Sequence, residues 1–213
     1  MDLVLTSSNH SKKVFENTKY EAHDQNTKQK IGEVKLEKPI EVLIEGANLE
    51  IYKPQKSSFD LTQVKENFAF LFVGHWMHGL LGHDRKNLGH TIQIFLEAFK
   101  NKKNTPALIL KTSITGGSHM DRNEIFKRIN EIRGSIKDAR TLPNIYLVHG
   151  DMSDEDMNEL YNHQKVKAMV SLTKGEGFGR PLLEFSLTKK PIITTNWSGH
   201  IDFSSPEFTT LLS

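Results

Sequence analysis

The chain has 213 residues, with 28 Lys and Arg against 26 Asp and Glu, no cysteine, 37% hydrophobic residues and 25% charged ones. This is the balance of a soluble globular protein of one large domain, or one and a half ordinary ones. It excludes disulfides, cysteine-based zinc sites and thiol nucleophiles, and leaves no charge excess to draw nucleic acid or an anionic membrane. Met1–His10 lacks the basic start of a signal peptide, and no run approaches the roughly 20 apolar residues of an integral membrane segment, so the expected location is cytoplasmic.

Strand-like and helix-like runs alternate along the chain. Asp2–Thr6 and Ile40–Ile44 read as strands, separated by Glu21–Glu37, which is polar, has little periodicity and reads as a surface excursion. Pro54 and a serine pair break the pattern between Lys53 and Lys65. Five short apolar runs follow: Phe68–Gly74, Ala107–Lys111, Ile145–His149, Ala168–Leu172 and Pro191–Thr195. Such runs suit strands buried on both faces of a parallel sheet. Between them, Leu88, Ile92, Phe95 and Phe99 form one helical stripe, and Ile125, Ile129 and Ile132 another. Ser153 with Asp156 is spaced as a capping box before a helix carrying Met157, Leu160 and Tyr161. The prediction is an α/β, doubly wound, parallel-sheet, Rossmann-like domain over residues 68–213. A partial βαβ piece over 1–55 and a linker over 56–67 precede it. After the last strand no further strand-helix unit is evident, so the domain reads as C-terminally truncated.

The densest chemistry lies in Gly175-Glu176-Gly177-Phe178-Gly179-Arg180-Pro181, running on to Glu184, between a strand and a helix. Three alternate glycines let the chain bend and a ligand approach the backbone, and Pro181 suits the first helical position. A helix start of this kind suits a diphosphate. Two carboxylates beside a diphosphate would repel it if they faced it. They make sense as acceptors of hydrogen bonds from neighbouring sugar hydroxyls. The ligand chemistry is therefore phosphate plus sugar.

Glu176 and Glu184, with seven residues between them, resemble the E-x7-E signature of retaining GT-B glycosyltransferases, specifically the group 1, GT4-like family. The resemblance implies that Glu184 holds the ribose of the donor nucleotide and that Glu176 contacts the transferred sugar. The amides of Gly177, Phe178 and Gly179 would line the pocket. Phe70-Leu-Phe-Val-Gly74 followed by Arg85-Lys86-Asn87 is similar to the family's first donor-domain strand and helix, where a basic pair neutralises the leaving diphosphate. Lys86 matches; the second cation is either Arg85 or His75. Together with the helix start at Arg180, these cations would stabilise the growing charge. His149-Gly150-Asp151 resembles a turn whose backbone reads the nucleobase. Lys174, with Ser171 and Thr173, would flank the sugar pocket, and Ser198-Gly199-His200 resembles the small-residue turn after the next strand. Leu43–Asn48 and Thr6–His10 resemble the end of the family's N-terminal, acceptor-binding domain.

The implied activity is transfer of a hexosyl-type sugar from a nucleotide-sugar donor to a saccharide or other hydroxyl acceptor, with no cofactor and no metal. An incomplete enzyme, or a non-catalytic nucleotide-sugar-binding module, is the alternative. His75, His78, His83 and His90 follow no zinc spacing. A dinucleotide-dependent oxidoreductase fits less well, because the glycines run G-x-G-x-G and no acid ends the following strand at Thr195-Asn196-Trp197. A two-carboxylate glycosidase would leave the glycines and the Arg-Lys pair without a role.

Overall fold

The computed structural model describes residues 2–77 and 81–213. It opens with β1 (Val4–Thr6), helix α1 (Asn9–Asn17), a hairpin of β2 (Lys19–His23) and β3 (Lys30–Lys35), and β4 (Ile40–Val42), which lies parallel to β1. Ser8 caps α1 by accepting the Ser11 N–H at 3.2 Å. The segment read as an irregular excursion does lie at the surface, but it is a regular antiparallel hairpin. Its turn is closed by Asp24, whose carboxylate accepts the N–H groups of Asn26 and Thr27 at 2.9 and 2.7 Å. A register shift at Ala22/His23 interrupts the alternation, which hides the strand period in the sequence.

The main sheet holds β5 (Ala69–Val73), β6 (Ala107–Lys111), β7 (Ile145–Val148), β8 (Val166–Ser171), β9 (Ile192–Thr195) and β10 (Thr209–Leu212). All pairs are parallel, in the order β10-β9-β8-β5-β6-β7. Helices α2 (Leu88–Phe99) and α3 (His119–Ser135) cover one face, and α4 (Asp154–Asn162) and α5 (Arg180–Ser186) the other. Strand alternation divides the core accordingly. On β6, Ala107 and Ile109 pack with Leu160, Tyr161 and Phe185, whereas Leu108 and Leu110 pack with Ile92, Leu96 and Ile125. The capping box at Ser153 and Asp156 is present.

The tail does carry another unit: a 3-10 turn, Gly199–Asp202, leads into β10, which pairs with β9 from Thr209↔Ile192 onward. As an edge strand, Thr209–Leu212 is half exposed and opens on two threonines, so it lacks the continuous apolar run that marks buried strands. Pro181 occupies the second position of α5, not the first. The stretch read as a linker contributes Leu61 and Val64 to the core on the α4 side, where Tyr52 Oη also donates to Asp154 at 2.9 Å. Among the described residues no helix is long and apolar enough to cross a membrane.

The topology locates the site. From β5 the chain winds outward through β6 and β7, then returns to the other side of β5 as β8. The crevice at the carboxyl ends of β5 and β8 is the switch point where such sheets bind ligands.

Candidate active site

Two cations and an acid meet at that crevice. The buried carboxylate of Asp84 accepts the N–H groups of Lys86 and Leu88, each at 3.1 Å. It thereby caps the first turn of α2, a job that Asn87, in a left-handed conformation with φ 55°, does not perform. Arg85 and Lys86 are held just before the helix. Lys86 Nζ lies 2.7 and 2.9 Å from the two oxygens of Glu176. Arg85 Nη1 lies 3.1 Å from Glu176 and 2.6 Å from the Gly175 carbonyl. Burial pushes the Glu176 carboxyl up, but Lys86, Thr173 and Arg85 outweigh it and hold the group below the usual range. Of the two candidates for the second cation, Arg85 reaches Glu176. His75 is exposed and pairs through Nδ1 with Ser113 Oγ at 3.0 Å.

The glycine-rich loop is anchored from below. Glu176 N–H donates to Ser198 Oγ at 2.8 Å, and Gly199 N–H donates to the Glu176 carbonyl at 3.0 Å. Phe178 is buried against Phe203. His200 is fully buried beneath, its Nε2 2.8 Å from the Thr195 carbonyl, and burial lowers its pKa so that it stays neutral. Gly179 alone of the three loop glycines takes a left-handed conformation, φ 98°, where α5 begins. Helix α5 has seven residues, so its dipole is a small contribution beside two side-chain cations.

Glu184 belongs to a different cluster. It is buried, accepts from Tyr161 Oη at 3.1 Å, and pairs with Arg180 Nε at 3.0 Å. Burial raises its pKa despite both partners. The two acids expected to frame one ligand are thus held by separate partners, Glu176 by Arg85 and Lys86, Glu184 by Arg180 and Tyr161. Sequence reasoning took Tyr161 as part of an apolar stripe and missed its hydroxyl.

The turn at His149–Asp151, expected to read the base through its backbone, is held by side chains. His149 Nε2 sits 2.9 Å from Asp121 Oδ2, while Gly150, φ 98°, has its carbonyl bonded by Lys111 Nζ. Burial works to raise the Asp121 pKa, yet hydrogen bonds from His149, Thr115 and Ile114 hold it at about 2. Lys174 donates its ammonium to the Gly82 carbonyl. Of the four histidines considered for a metal, His78 lies outside the described residues.

Two cavities flank the Lys86–Glu176 pair. One, about 460 Å³, is lined by His10, Phe15, Arg85, Lys174, Glu176 and Ser198. The other, about 250 Å³, is lined by Gly74, His75, Lys86, Lys111, Thr112 and Pro181 among others. A larger space of about 620 Å³ lies beside Phe68 and Pro106, at the opposite ends of β5 and β6 and away from these cations.

A six-stranded, doubly wound parallel sheet flanked by helices on both faces is the fold of GT-B C-terminal domains. Residues 85–212 match the model of glycosyl transferases group 1, and the chain belongs to that family. No curated protein sequence matches the chain. Among solved structures it is similar to the C-terminal domain of the group 1 protein LpcC from Francisella tularensis, with 12% identity, 78% and 80% of the two chains covered, and TM-score 0.55. It is also similar to HepE from Anabaena, solved with UDP and glucose, with 17% identity, 99% and 49% covered, and TM-score 0.60. A third is a UDP-forming trehalose-phosphate synthase from Burkholderia xenovorans, with 11% identity, 99% and 51% covered, and TM-score 0.64. The chain therefore spans about half the length of the last two.

Proposed function

We propose that this chain carries the donor site of a retaining glycosyltransferase, taking a sugar from a nucleoside diphosphate and passing it to an acceptor hydroxyl. The observation that carries this reading is the convergence of Lys86 and Arg85 on Glu176 at the sheet's switch point. With the donor bound, the two cations divide their charge between Glu176 and the leaving diphosphate. Negative charge grows on that diphosphate as the glycosidic bond breaks, so preorganised cations act more strongly on the transition state than on the ground state. Because side chains supply this charge, the reaction needs no metal.

Glu176 accepts hydrogen bonds from the transferred sugar beside Lys174 and Ser198. Glu184 takes the ribose hydroxyls in exchange for Arg180, whose side chain is more than half exposed and free to move aside. HepE and the pneumococcal transferase GtfA were solved with UDP, and the same class of donor suits the cations here. The acceptor would enter the cleft between α1 and the glycine-rich loop.

Calorimetric titration of UDP, GDP, ADP and CDP tests the reading. At least one nucleotide should bind the wild type, and Glu184→Ala should weaken it about tenfold or more. Absence of binding, or an unchanged affinity in the variant, overturns the assignment. Binding with no sugar transfer to any acceptor would favour a non-catalytic module.

A further inference from the structure

The small net charge of +2 conceals an uneven distribution. Residues 65–68, 100–106 and 136–144 lead into β5, β6 and β7, which are neighbours in the sheet. Because these strands run parallel, the three segments share one end of the sheet, opposite the donor crevice. They carry Lys65, Lys102, Lys103, Lys137 and Arg140, all exposed, and none of these side chains makes an ion pair among the described residues. Lys100 is already paired, with Glu97 at 2.7 Å. The acids on these segments are Glu66, which accepts from Asn144 Nδ2 at 2.7 Å, and Asp138. Nor do the five cations cap helices: α2 and α3 close on the backbone N–H groups of Lys100 and Ile136.

The cations are mounted on a fixed frame. Asn101 fastens two of the segments together, donating to the Asp138 carbonyl at 2.8 Å and accepting the Arg140 N–H at 2.7 Å. Aromatic rings stand beside them. The cavity of about 620 Å³ at this end is lined by Lys65, Phe68, Phe70, Phe99 and Pro106 among others. Phe68 is 43% exposed, and Lys102 Nζ lies 5.6 Å from the centre of the Phe99 ring. The rings lean on one another, with centroids 5.0 Å apart for Phe68 and Phe70 and 6.3 Å for Phe70 and Phe99. They form an apolar edge, not a row of open faces on which successive bases could stack.

We propose that this end of the sheet docks on an anionic membrane surface. Phe68 enters the boundary between headgroups and acyl chains, and the five cations rest on the anionic headgroups. Peripheral binding needs both parts, apolar contact and attraction to anionic lipid, and here one face supplies both. Segments at the ends of three neighbouring strands form a broad front rather than a cleft, which suits a flat partner. Docked this way, the chain keeps its donor crevice turned toward water, where a nucleotide sugar is dissolved. Membrane docking does not depend on the donor site and would stand if no nucleotide bound.

Co-sedimentation of the full chain with phosphatidylcholine vesicles, with and without phosphatidylserine, tests this. The anionic vesicles should be bound about tenfold or more tightly than the neutral ones, a preference that fades toward about 1 M salt, where screening is nearly complete. Combining Lys102→Glu with Lys103→Glu should weaken anionic binding about tenfold or more, since each basic residue near such a surface contributes about fivefold. Phe68→Ser should weaken it too, with folding of each variant verified by thermal melting. Lys13→Glu with Lys19→Glu, the same charge change on α1 and the hairpin, should leave binding within about twofold. Binding of the wild type to both vesicles alike, or to neither, would overturn the proposal. So would an equal loss in the α1 and hairpin variant, which would make the attraction diffuse. Preference for single-stranded RNA over anionic vesicles, lost in the Lys102 and Lys103 variant, would overturn it as well and give this face to nucleic acid.

Discussion

Gly199 and Gly177 are in backbone contact: a Cβ on Gly199 would lie 2.0 Å from the Gly177 carbonyl oxygen. The turn after β9 and the loop after β8 are thereby locked as one unit, and the loop's acid, Glu176, inherits its position from a strand it does not follow.

That contact makes Gly199→Ala damaging although it adds one methyl group. The loop must retreat by more than an ångström, so stability should fall by about 1–3 kcal/mol, as overpacking usually costs. Nucleotide affinity should fall with it. Gly46→Ala, where nothing stands within 4 Å of the added atom, is the control. Urea midpoints of the two variants decide, and equal midpoints would show that the loop and turn are not locked.

Lys86 and Glu176 are both largely buried, at 14% and 8% side-chain exposure. Lys86→Met leaves the carboxylate with one cation, Arg85, and should destabilise the chain by about 3 kcal/mol, the usual result of breaking a buried pair. Adding Glu176→Gln should restore most of that stability, because the unpaired charge is gone. Nucleotide binding should stay lost in the double variant. If the double variant is no more stable than the single, the pair is not the source of the cost.

His200 gives the fold a pH dependence. Burial lowers its folded-state pKa below the ordinary 6.5, so the unfolded chain binds more protons as the pH falls through that range. Stability from this group is therefore full above the ordinary 6.5 and is lost as the pH falls from there through the lowered folded-state pKa. Substituting His200→Asn should flatten that part of the profile while lowering stability at neutral pH, since the bond to the Thr195 carbonyl is weakened. An identical pH profile in the variant would show that His200 does not titrate in this window.

Nucleotide binding should also report on Tyr161. Tyr161→Phe removes one of two partners from a buried carboxylate and should cost about 1–3 kcal/mol of stability. Its effect on nucleotide affinity should stay smaller than that of Glu184→Ala. A larger loss of affinity in Tyr161→Phe would place the hydroxyl, not the acid, against the ligand.

Much of this protein was readable from local spacing. The parallel sheet showed as short apolar runs, because strands covered on both faces need no polar alternation. The capping box at Ser153 and the glycine-rich entry to α5 were equally plain, each being set within a few residues of backbone. The β2–β3 hairpin and β10 were not, the first because a register shift breaks its period, the second because an edge strand covered on one side only carries no continuous apolar run.

What lay beyond the sequence were the partnerships. Lys86 and Glu176 stand 90 residues apart in the chain, Gly177 and Gly199 meet across two different strand ends, and Glu184 turns to Tyr161 on another helix. Spacing along a chain reports the period of one element. Which side chains face each other depends on the order in which strands are laid side by side, and that order arises from the collapse of the whole core.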